Sequence, residues 1–224
     1  MKRAQLKKAA IYVVSVLAGL TLVIGLLHTK AGRPLLARMG LACPVKASPE
    51  AVEAARLNSA RLQRGAETAA SRPALGFALD AMTLNDIKAW AAQKNVSCNE
   101  LRVGLIRCTD VPLAAVGSAG PTINQLDFGF APASGRLVNI SAWRNGMTGE
   151  AAAAQLAVVV HQMKEQLGAP TREAGSRSAG YLASGPMHTA TVEYRFKDYI
   201  ADVSATNIPG HGLLMREHYM SARD

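Results

Sequence analysis

Aromatic residues make up only 5% of the 224-residue chain, and they nowhere interleave with a stripe of Lys and Arg. That scarcity removes the stacking platforms on which single-stranded nucleic acids are held. The formal net charge of +9 does not restore the case, because no Asp or Glu occurs before position 47. Residues 1–46 carry eight of the Lys and Arg, and the rest of the chain has seventeen against sixteen acids, a net charge of +1. No nucleic-acid partner is expected.

Chemical motifs are equally sparse. The three cysteines form no Cys-x-x-Cys, and there is no Gly-x-Ser-x-Gly, no His-Glu-x-x-His and no phosphate-cradling glycine loop. Ala183-Ser184-Gly185 lacks the surroundings of a nucleophile. His188, His211 and His218 could converge on a metal, but no i, i+4 spacing supports that. No catalytic, cofactor-binding or metal-ligating residue and no cofactor is assigned, and the expectation leans away from an enzyme.

What the sequence does have is one long uncharged run. Ala9 to Thr29 spans 21 residues, eleven of them Ile, Val or Leu. As a helix this stretch reaches roughly 30 Å, the hydrocarbon thickness of a bilayer. The basic flank of residues 1–8 favours an N-terminus inside and a domain outside an inner membrane. A cleaved signal is the rival reading, but the run exceeds a usual h-region and Thr29-Lys30-Ala31 is a poor cleavage site. Small-residue pairs such as Ser15 and Gly19 leave open a homodimer through this helix, or through Cys43.

The expected organisation is a basic flank (1–8), a transmembrane helix (9–29), a juxtamembrane linker and spacer helix (30–72) and a soluble domain (73–224). Ser48-Pro49-Glu50 starts the spacer helix. Thr83-Leu84-Asn85-Asp86 starts a second helix to about Lys94, and Thr148 a third to about Leu167, stopped by Gly168. Alternating stretches around Leu101, Phe128, Ile140, Val192 and Val203 read as half-buried antiparallel strands. The fold class is therefore α+β: two helix-then-hairpin units (73–145 and 146–224) with helices on one face of an antiparallel sheet.

These residues resemble a known family. Ala81-Met82-Thr83-x-x-Asp86-Ile87, then Cys98, Cys108 and Phe128-Gly129-Phe130, is similar to one repeat of the beta-lactamase inhibitor protein fold, and Gly146-Met147-Thr148 repeats the helix start. The same module is seen in small outer-membrane assembly lipoproteins of the SmpA/OmlA (BamE) type. The resemblance covers about residues 75–220. It implies a protein-binding module outside the cytoplasm and a pairing of Cys98 with Cys108. The residues themselves leave three states open for the two cysteines: a disulfide, two reduced thiols or half of a zinc site. The second unit lacks cysteines, and no inhibitor contact residue is carried over.

A partner in envelope assembly or maintenance is the expected ligand, with an envelope enzyme or a secreted inhibitor as alternatives. If Val138, Ile140, Ala190, Val192, Tyr194 and Phe196 lie beneath the helices, their neighbours Asn139, Ser141, Thr191, Glu193 and Arg195 face away. Trp143, Arg195, Glu193, Asn139 and Ser141 are accordingly the expected partner-binding residues.

Overall fold

A computed structural model describes residues 48–117 and 120–223. The first helix, α1 (Pro49–Gln63), is capped by Ser48, whose hydroxyl accepts a hydrogen bond from the Ala51 amide at 3.3 Å. In α2 (Leu84–Lys94), Thr83 and Asp86 form a reciprocal capping box, and Asn95 closes the helix in the left-handed region. The long helix α3 (Gly149–Leu167) starts at the Thr148 cap and ends at Gly168, whose φ of +81° suits glycine. A short α4 (Ala179–Ala183) follows.

Eight strands make one antiparallel sheet: β1 (Cys98–Arg102), β2 (Leu105–Val111), β3 (Ile123–Phe130), β4 (Leu137–Met147), β5 (Arg172–Ala174), β6 (Thr189–Arg195), β7 (Tyr199–Ile208) and β8 (Gly212–Ser221). Their spatial order is β1-β2-β3-β4-β8-β7-β6-β5, so β4 and β8 join the two halves edge to edge. The main core lies on the face covered by α2 and α3, where Ile87, Leu156 and Val160 meet Phe128, Ile140, Val192, Val203 and Met215. Phe77, Trp90 and Phe128 pack edge-on within it, with Phe77 4.9 Å from Trp90 and 4.8 Å from Phe128.

The structure corrects the expected fold class in three ways. Each unit contributes four strands rather than a hairpin, so the domain is mostly one eight-stranded antiparallel sheet with a few helices. The helices are not confined to one face. Ala60 of α1 packs against Ile200, Met220 and Ala222, which form a second, smaller cluster. These side chains alternate with the Tyr199, Ala201 and Tyr219 of the main core and so belong to its opposite face. Finally, no helix among the described residues is long and apolar enough to cross a membrane, and the expected span 9–29 lies outside them, as does Cys43.

A smaller difference concerns Val138. Phe128 pairs with Ile140, but Phe130 pairs with Leu137, so β4 carries one extra residue at this point. That bulge gives Leu137 the core position expected of Val138, which is buried outside both clusters. Cys98 and Cys108 stand directly opposite each other on β1 and β2, at disulfide distance with Cα atoms 4.0 Å apart.

Candidate protein-interaction face

The face opposite α2 and α3 is built by simple alternation. In β4, Ile140 and Ala142 turn to the core and leave Asn139, Ser141 and Trp143 outside. In β8, Met215, Glu217 and Tyr219 are buried, so Arg216 and His218 project the other way. The same rule sets out Asp202 and Ser204 on β7, and Thr191, Glu193 and Arg195 on β6. Strand register then aligns these residues into rows. Arg107, Asp127, Ser141, His218, Asp202, Glu193 and Arg172 are successive cross-strand partners from β2 to β5. A second row places Gln125, Trp143, Arg216, Ser204 and Thr191 side by side.

Within the first row Asp202 and Glu193 are direct opposites, an arrangement that like charges would disfavour. Basic side chains offset it. Arg195 lies 3.2 Å from Glu193 and 3.8 Å from Asp202, Arg216 reaches Asp202 at 4.0 Å, and His218 Nδ1 is 3.0 Å from the same carboxylate. Burial raises the Asp202 pKa, but the His218 hydrogen bond and the His218, Arg216 and Arg195 charges outweigh it and hold the group below its usual range. Glu193 is lowered chiefly by its hydrogen bond from Arg172, at 2.5 Å. Further along, Arg107 grips Asp127 with two hydrogen bonds of 2.8 and 2.9 Å.

All five expected residues lie on this face. Trp143 lies in mid-strand, with the Arg216 guanidinium carbon 5.1 Å from its ring centroid. Asn139 and Arg195 belong to the row that contains Met220 and Ile200, where α1 covers the sheet. Gly65, just beyond α1, sits so close to β6 that an added Cβ would come 2.1 Å from the Arg195 carbonyl oxygen. Sequence reasoning missed Arg216, His218 and Asp202. Their signal was the buried alternation of Met215, Glu217 and Tyr219, which forces 216 and 218 outward once β8 is recognised.

The row also brings Ser141, His218 and Asp202 together, which invites comparison with a nucleophilic triad. Catalysis of that kind needs the serine hydroxyl bonded to the imidazole. Ser141 makes no such bond to His218. The histidines do not gather either: His188 stacks on Tyr181 with centroids 4.6 Å apart, and among the described residues no group of His, Cys, Asp and Glu could hold a metal. A shallow depression lined by Thr68, Lys197, Asp198 and Arg223 lies elsewhere, with Arg223 bonded to Asp198 at 3.3 Å.

Comparison with known proteins finds no matching family, no matching curated protein and no matching solved structure.

Proposed function

We propose that this chain is a protein-interaction module that works outside the cytoplasm, in the assembly or maintenance of a cell envelope, and binds another envelope protein through the polar face of its sheet. The observation that carries the reading is the in-register field of arginines, carboxylates and one tryptophan on that face. The side chains of Arg195, Glu193, Asp202 and His218 are held by ion pairs to one another at 13 to 16% exposure, while Arg216, Arg107 and Arg172 on the same face are 32 to 67% exposed. Preorganised Arg and aromatic groups are the usual anchors of protein interfaces. The extracytoplasmic setting is supported by the cysteine pair, since such pairs persist as disulfides in oxidising compartments.

Truncation of two side chains on this face tests the reading. Trp143→Ala and Arg195→Ala are each expected to weaken binding of the purified native partner by about 2 kcal/mol, roughly thirtyfold, with little change in melting temperature for Trp143→Ala and a lower but still cooperative melt for Arg195→Ala, which removes an ion-pair partner of Glu193 and Asp202. Unchanged affinity in both variants would place the interface elsewhere, and loss of folding in both would make these side chains structural.

A further inference from the structure

The chemistry of the partner can be taken one step further, on the reading of this face as the binding surface. Arg195 on β6 and Arg216 on β8 flank β7 and converge on one carboxylate, that of Asp202, to which His218 is also bonded. With Arg172 and Glu193 included, three arginines stand against two carboxylates, before any charge on His218. Among the described residues, four buried side-chain atoms on this face lack a hydrogen-bond partner; one, Asn139 Oδ1, is an acceptor and three are donors. Trp143 Nε1, Arg216 Nε and Arg195 Nη1 are buried N–H donors without a hydrogen-bond acceptor. Buried donors are rarely left unpaired, and each is costly while it remains so. Arg216, folded over the indole and held to Asp202 only by a 4.0 Å ion pair, is the most exposed of the converging groups at 32%. Rotation off the ring would open the Trp143 N–H and free its own Nε.

We infer that this corner of the face receives a carboxylate side chain, an Asp or Glu on an extended segment of the partner, seated between Arg216 and Arg195 with the Trp143 indole as a further donor. A basic segment would add its charge to that of the same arginines, whatever its backbone carbonyls accept. A neutral one could supply carbonyl acceptors but would leave the excess positive charge unmatched.

The two tryptophans provide the test. Trp90 Nε1 donates to the Ala115 carbonyl at 3.2 Å, whereas Trp143 Nε1 is unpaired, so the indole N–H signals of the full chain act as control and reporter. The probe is an acetylated, amidated hexapeptide of alternating Thr and Glu, compared with its Gln counterpart at physiological salt. The Glu peptide is expected to shift the Trp143 signal and leave that of Trp90 in place, with the Gln peptide at least tenfold weaker. Arg216→Gln is expected to weaken the Glu peptide at least tenfold. Equal response to both peptides, no response to either, indifference to Arg216→Gln, or a response confined to a short oligothymidylate would each overturn the inference. A photo-crosslinker at Ser204 separates this from the broader reading. If it captures the native partner and the Glu peptide does not compete, the face stands and the carboxylate assignment falls; if it captures nothing, both fall.

Discussion

Asp202 shows how much of this molecule is decided by single side chains. It is largely buried beside Glu193, a position that water would normally have to solvate, and it stays ionised only because His218, Arg216 and Arg195 surround it. Its folded pKa and that of Glu193 are lowered, so both contribute stability that is complete above the ordinary carboxylate range and is lost as pH falls through the lowered values. Asp202→Asn is therefore expected to reduce stability at pH 7 by about 1 to 3 kcal/mol, since it leaves the basic groups without their shared anion. The gap to the wild type should close as the pH is taken from 5 to about 2.5, near and then below the reference carboxylate values. Thermal melts across that window check it, and a gap that widens in acid would contradict the assignment.

Among the elements, β1 is the least self-sufficient. Its residues beyond Cys98 are exposed, its pairing with β2 is irregular between Glu100 and Arg102, and Leu101 and Val103 at the hairpin bury little. Cys98 ties it to Cys108, which is fully buried in the core. Reduction, or Cys98→Ser, is expected to cost about 2 to 3 kcal/mol, the value for closing a loop of this size, and to speed amide exchange in β1 and β2 before the rest of the sheet. Uniform loss of protection would argue against a local clip.

The helix starts at Ser48, Thr83 and Thr148 were legible because caps are local chemistry, and so were the alternating strands. The side on which α1 packs was not. Its one buried residue, Ala60, carries no periodic signal, and the surface it meets, Ile200 and Met220, is visible only after β7 and β8 are paired. The site was half legible for the same reason: alternation exposed Asn139, Ser141, Glu193 and Arg195, whereas the rows that join them to Asp202, His218 and Arg216 depend on long-range register. The Val138 bulge escaped because an extra residue in a strand shifts the alternation without altering the composition.

Across the whole molecule, the joint between β4 and β8 holds the two halves together, and it carries a buried charge pair. Arg144 and Glu217 meet at 2.5 Å with side chains 1% exposed, and the Tyr219 hydroxyl donates to the second carboxylate oxygen, also at 2.5 Å. Burial, and then the Glu217 charge, push the Tyr219 pKa well up, so it remains a donor. Removing one partner strands the other charge, so Glu217→Leu is expected to destabilise by about 3 to 5 kcal/mol, with Arg144→Met in the same chain recovering most of the loss. A double variant as unstable as the single one would mean that the pair contributes net stability of its own. The central claim is that the opposite, polar face is where a partner binds. The most direct measurement is site-specific photo-crosslinking of the full chain in its native cells, comparing Ser204 on that face with His161 on the outer side of α3. A single discrete adduct from Ser204 and none from His161 is the predicted result; an adduct from His161 alone would contradict it.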